Sequence, residues 1–201
     1  MINQHCEIIL ASNSSARKLI MDNVGLKYQA ASPKFEEDIE KYNINLSSSN
    51  LALYLATHKA MSLANDYYNS YIIGSDQLCL LEGKEIFKSN TKNQAISQLK
   101  KLKNKTHTQN NATVIIHQNK IVFKNISTAK LTMHNLTDGE IGRYVEYDDP
   151  VGCAGSYKFE SCGKYLFSKV SGSYHTILGL DIVPILSFLY KNKLINLLKT
   201  S

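Results

Sequence analysis

Apolar residues along this chain alternate between short continuous runs and stretches where they recur every three or four positions, a pattern that predicts strands and helices in turn. EIILAS (7–12) reads as a short buried strand, and NSSARKLIMDNVG (13–25) follows as a helix. Ser12 to Ser15 offer N-cap candidates for that helix, Leu19, Ile20 and Val24 share a face, and Gly25 is placed as its C-cap. The segment 32–50 breaks both patterns with Pro33, a run of acids and a Ser run, which predicts an irregular loop with exposed carboxylates. LALYLATHKAMSLANDYY (51–68) is helical with Asn50 as candidate cap. YIIGSD (71–76) is a second strand, with Asp76 just past its end, and TKNQAISQLKKLKN (91–104) a further amphipathic helix starting near Thr91. Two strand-like runs flank His117-Gln118-Asn119-Lys120 and predict a hairpin. Thr137 and Glu140 have capping-box spacing at the head of a helix over 136–150. CAGSYKFES (153–161) and KYLFSKVSG (164–172) read as strands, and 179–198 as a closing helix with Pro184 in its first turn. Strands alternating with helices, plus one antiparallel hairpin, predict an α/β fold with a mixed sheet.

Composition narrows the class. The 201 residues hold no linker-like stretch and suit one domain over 1–201. With 43% hydrophobic and 20% charged residues, the chain falls among soluble proteins, and no apolar run approaches the roughly 20 residues that span a bilayer. MINQHCEIILAS has neither the basic start nor the long apolar core of a secretion signal, so no membrane association and a cytoplasmic location are expected. The 4 cysteines are far apart and form no CxxC pair, which predicts reduced thiols rather than a zinc site or disulfide framework. A net charge of +6 favours a polyanionic partner, either nucleic acid or nucleotide phosphate, although part of it lies in KKLKNK (100–105) and the C-terminal tail, runs typical of solvated helix faces.

Three places combine a strand or loop, small residues and charge. Ser12, Ser14 and Arg17 stand at a helix start, where hydroxyls, backbone N–H groups and a cation cradle phosphate, or where serines simply cap. Glu36, Glu37 and Asp38 supply the oxygen ligands that Mg²⁺ prefers, or form a solvated acidic loop. Asp76 at a strand end is placed to bind a metal or to act as a base, or to start a turn. Lys59 and Lys88 read by themselves as surface lysines.

Taken in order, these pieces resemble the Maf family of nucleoside triphosphate pyrophosphatases. The family opening LASxSPRR is matched by Leu10, Ala11, Ser12, Ser14 and Arg17, with Ser15 and Ala16 as departures. Glu36-Glu37 after a proline, Lys59-Ala60, IIGSD, Phe87-Lys88-Ser89, Cys153-Ala154-Gly155-Ser156-Tyr157 and Leu178-Gly179-Leu180 match later elements, while the family's Thr-Gly stands here as Asn111-Ala112. The resemblance implies a mixed central sheet flanked by helices, two lobes around a deep cleft, and hydrolysis between the α and β phosphates of a nucleoside triphosphate. It implies Asp76 as catalytic acid/base, Glu37 with Asp76 for a divalent cation (Mg²⁺ or Mn²⁺), and Ser12, Ser14, Arg17, Lys59 and Lys88 at the phosphates. Gln77, the stretch Cys79-Leu80-Leu81-Glu82-Gly83, and Cys153 to Glu160 are similar to the branch acting on 7-methyl-GTP, which makes Ala16, Gln77 and Glu160 the specificity positions. Ala16 stands where that branch carries an aromatic, whose stacking on a base is worth about 1–3 kcal/mol. Activity on dTTP, UTP or CTP is the same-class alternative, and a degenerate member serving as an interaction protein in division control the different-class one. A homodimer is implied; without an RNP, helix-turn-helix or zinc-finger motif, no stable nucleic-acid complex is expected.

Overall fold

The computed structural model describes residues 2–36 and 47–197. In chain order the elements are β1 (Ile2–Gln4), β2 (Ile8–Ala11), α1 (Ser15–Asn23), β3 (Gln29–Ala31), α2 (Ser48–Met61), β4 (Tyr71–Leu81) and β5 (Lys84–Glu85). They continue as α3 (Lys92–Leu102), β6 (Thr106–His117), β7 (Lys120–Met133), α4 (Asp138–Asp148), a 3-10 turn (Cys162–Leu166), β8 (Phe167–Ser171), α5 (Tyr174–Leu178), α6 (Ile182–Lys191) and β9 (Ile195–Leu197). Hydrogen bonds order one sheet as β3-β2-β4-β6-β7-β8 with β5 against β4, and β1 pairs with β9 in a second. β2 runs parallel to β3 and β4, while β5 and β8 run antiparallel to their neighbours, so the sheet is mixed as expected.

The chain divides into two compact units. The first comprises Met1–Asp76, Asn111–Ser127 and Gly179–Ser201; the second comprises Gln77–Asn110 and Thr128–Leu178. β4, β6 and β7 each contribute one stretch to each unit. The first unit has its core where all four residues of β2, flanked on both sides by parallel strands, are buried with Ile72 and Ile73 of β4, Ile20 and Met21 of α1, and Leu55 of α2. A strand covered on both faces reads as a continuous apolar run, which is why EIILA carries no alternation. The second unit packs Leu99 and Leu102 of α3, Ile141 and Val145 of α4, and Leu131 and Met133 of β7 around Tyr157 and Phe167. No helix among the described residues is long and apolar enough to cross a membrane.

Local signals match the elements they predicted. Ser14 caps α1, Thr91 caps α3, and the Thr137–Glu140 capping box is formed at α4. Gln118 and Asn119 both take the left-handed conformation, at φ 50° and 59°, that a tight two-residue hairpin turn requires. Four expectations change. β4 runs on to Leu81, so Asp76 lies in mid-strand rather than past a strand end; Leu78, Cys79 and Leu81 are buried and keep the pairing profitable beyond the acid. α2 begins at Ser48 behind Ser47 rather than after Asn50, and ends at Met61, beyond which residues 63–69 turn. CAGSYKFES forms turns because Gly155 and Ser156 both have positive φ, which a strand does not admit. The closing helix stops at Lys191, and its last apolar residues form β9 against β1.

Candidate functional site

In the first unit, β2 delivers the chain at Ala11 into a Ser-rich turn. Ser14 is extended (φ −63°, ψ 122°), and its Oγ accepts from Arg17 N at 3.4 Å, which starts α1. Ser12 Oγ accepts from Ser14 N at 3.2 Å and from Arg17 Nη1 at 3.3 Å. With both lone pairs engaged, the Ser12 hydroxyl keeps one hydrogen to donate. Hydroxyls, a guanidinium and the N-terminal turn of a helix are the kinds of group from which anion-binding sites are built.

The same unit holds a buried ion pair. Lys59 Nζ lies 2.5 Å from Asp76 Oδ1, and the two residues are only 8% and 3% exposed. Gly74 makes the pair geometrically accessible: a Cβ there would stand 2.2 Å from Ala56 O and 2.8 Å from Ala60 Cβ, so only glycine lets α2 lie this close on β4. Lys59, on the α2 turn next to Ala60, is thereby laid over the strand at Asp76. Asp76 Oδ2 is buried and has no hydrogen-bond partner among the described residues. Buried polar atoms are nearly always satisfied, so this oxygen is available for a proton or for a hard divalent cation. Glu37, the expected companion for a cation, lies outside the described residues, and among those described no three His, Cys, Asp or Glu side chains form a metal-holding group.

Behind Asp76 sits a polar knot that the sequence reading did not assign to function. Asn111 Nδ2 is 3.0 Å from Asp76 O, 3.0 Å from Ser75 Oγ and 2.9 Å from Gly179 O. Ser75 Oγ is 2.9 Å from both Ala112 O and Gly179 O. Arg17 Nε donates to the same Gly179 carbonyl at 2.8 Å. The available signal was Gln109-Asn110-Asn111, three amides preceding an apolar run inside one strand; the Gly179 carbonyl, being backbone, leaves no signal in residue type.

The second unit holds Gln77, Lys88 and Glu160. Gln77 Nε2 donates to Thr176 O and Ile177 O, both at 2.8 Å, so its amide hydrogens are engaged by the backbone of α5. Lys88 is exposed and Glu160 half-buried. Both act on Cys153: burial raises its thiol pKa first, the Glu160 carboxylate raises it further, and Lys88 is among the cations that oppose this. Asp148, held by Ser161 Oγ at 2.6 Å, also pushes that thiol up. Tyr157 anchors the turn that carries these groups, accepting or exchanging hydrogen bonds with His107 Nε2 at 2.9 Å and Gln109 Nε2 at 2.7 Å. Burial drives the His107 pKa down to about 4 and the Tyr157 pKa well up.

Comparison with known proteins adds an independent line. Residues 7–192 match the profile of the family described as Maf, Maf-like protein. A nucleoside triphosphate pyrophosphatase of Bradyrhizobium diazoefficiens is 35% identical over 191 residues, covering 94% of this chain and 95% of that one. A nucleoside triphosphate pyrophosphatase of Legionella pneumophila (strain Philadelphia 1) is 33% identical over 195 residues, covering 96% and 98%. A 7-methyl-GTP pyrophosphatase of Brucella abortus is 34% identical over 196 residues, covering 94% and 98%.

Proposed function

The chain belongs to the Maf family, and from that premise we propose that it is a nucleoside triphosphate pyrophosphatase that cleaves the α–β phosphoanhydride of its substrate. The observation that carries this reading is the buried Lys59–Asp76 pair with Oδ2 left open. Lys59 holds Oδ1 and so turns Oδ2 toward the reacting water. Asp76 Oδ2 takes a proton from that water as its oxygen bonds to the α-phosphorus. The bond from the α-phosphorus to the bridging oxygen breaks, pyrophosphate leaves, and a nucleoside monophosphate remains. Arg17, the Ser12 hydroxyl and Ser14 hold phosphate oxygens at the α1 N-terminus, and Lys88 supplies a further cation. Asp76 and Glu37 would hold a divalent cation, Mg²⁺ or Mn²⁺, which would neutralise phosphate charge; a carboxylate offers lone pairs enough for both a cation and a proton.

Within this activity 7-methyl-GTP is the substrate the residues favour. Guanine presents N1–H and an exocyclic amine, both donors to a carboxylate such as Glu160, and N7 methylation adds positive charge that an acid stabilises. Gln77 tunes the base through the position of α5, to which its amide is bound. The name of the Brucella relative is in keeping with this choice. Ala16 favours the second reading, activity on dTTP, UTP or CTP, because a methyl group at the first turn of α1 provides no surface on which a particular base stacks.

Pyrophosphate release from a panel of canonical and modified nucleotides, with Mg²⁺ or Mn²⁺, tests both levels. We expect release by the wild type, greatest with 7-methyl-GTP, a loss of about 10²-fold or more in Asp76→Asn, and an altered order of preference in Glu160→Gln. Equal release by Asp76→Asn overturns the catalytic role, and an unaltered order in Glu160→Gln overturns the specificity role.

A further inference from the structure

We propose that Asn111 is a positioning residue that sets Asp76 and Arg17 in register through one buried carboxamide; this rests on the pyrophosphatase reading. Asn111 is fully buried in β6. Its Nδ2 faces the Asp76 carbonyl at 3.0 Å and the Gly179 carbonyl at 2.9 Å, and its Oδ1 is 3.3 Å from Asp181 N, which donates to it. An amide has two N–H groups, and two backbone carbonyls at these distances use both. Ser75 Oγ, the third neighbour of Nδ2, has acceptors of its own in Ala112 O and Gly179 O.

Each end of the carboxamide therefore fixes a backbone segment. One bond fixes the peptide from which the Asp76 side chain departs. The others fix the segment Gly179 to Asp181, entered through a left-handed glycine (φ 93°), whose Gly179 carbonyl in turn receives Arg17 Nε at 2.8 Å. The acid and the phosphate-binding cation are thus referred to the same side chain. No other residue type of this size donates two hydrogens and accepts one: aspartate donates none when ionised, and threonine donates one. A displacement near 1 Å in such a reference costs about 10²-fold in rate, so the clamp acts on turnover as well as on stability.

The test compares Asn111→Ala and Asn111→Thr with Ile115→Val, a buried apolar change on the same strand that lowers stability without touching the polar groups. Three readouts are taken on each: the urea midpoint, kcat and KM for the best nucleotide of the panel, and the solvent-exchange rate of the Arg17 Nε–H in arginine-labelled protein by NMR. We expect Asn111→Ala to lower kcat about tenfold or more, to raise KM, and to speed Arg17 Nε–H exchange, with Asn111→Thr intermediate and Ile115→Val unchanged in all but the midpoint. We also expect Arg17→Ala and Arg17→Ala with Asn111→Ala to have the same KM. Wild-type kcat, KM and exchange in folded Asn111→Ala overturn the proposal, as does a KM effect that adds fully to that of Arg17→Ala. If Asn111→Ala does not fold, Asn111→Thr is judged by the same criteria. If the wild type releases no pyrophosphate from any nucleotide, the functional reading fails, and the exchange rate alone decides the clamp: faster only in the Asn111 variants supports it, equal in all four proteins sinks it.

Discussion

A buried ion pair and an exposed one respond differently to losing a partner, and this protein contains both. Lys59 and Asp76 have side chains 10% and 4% exposed, whereas Lys92 and Glu146, also paired, are 44% and 77% exposed. Lys59→Met leaves a carboxylate buried without compensation, and we expect a loss of about 3–5 kcal/mol in urea denaturation together with loss of pyrophosphate release. Lys92→Met should leave both almost unchanged, because water already screens that pair. Both Lys59 and Asp76 could be named from the sequence as chemistry-bearing residues. That they touch could not, since a lysine on a helix looks like any surface lysine until the packing beneath it is known. Asn111 was less legible still: its side chain matters through backbone carbonyls, which every residue type has.

At the scale of elements, close approach decides what the site can be. Gly74→Ala sets a methyl group 2.2 Å from a carbonyl oxygen of α2, and α2 must move off β4. We expect a destabilisation at or above the about 1–3 kcal/mol of ordinary overpacking, with activity falling further than the folded fraction because Lys59 moves with the helix; urea denaturation and pyrophosphate release on the same samples separate the two. Thr137→Ala at the head of α4 provides the contrast, a loss of about 1 kcal/mol with activity per folded molecule retained. Caps and the hairpin turn were legible because their determinants lie within three or four residues of one another. The length of β4 was not: Gly74-Ser75-Asp76-Gln77 reads locally as punctuation, and the strand continues through it to Leu80 and Leu81, where β5 pairs with it.

At the scale of the whole molecule, protonation links the buried network of the second unit to global stability. Burial lowers the His107 pKa from 6.5 to about 4, so the folded protein prefers the neutral ring. Its contribution, about 3 kcal/mol, is complete above pH 6.5 and is lost as pH falls toward 4, where the ring takes up a proton in the folded state too. Urea midpoints between pH 7 and 4 should therefore decline less steeply in His107→Gln than in the wild type. The alternation of strands and helices, the caps, and the ordered motifs that place the chain in its family are properties of local pattern and are legible in short windows of residues. Packing over long sequence distances sets which oxygen of Asp76 is engaged, brings Lys59 on α2 to it, and gathers Arg17, Ser75 and Asn111 at one carbonyl. Asn111 and Gly179 are 68 residues apart, and a contact over that distance is set by how strands and helices pack, which no short window of residues encodes.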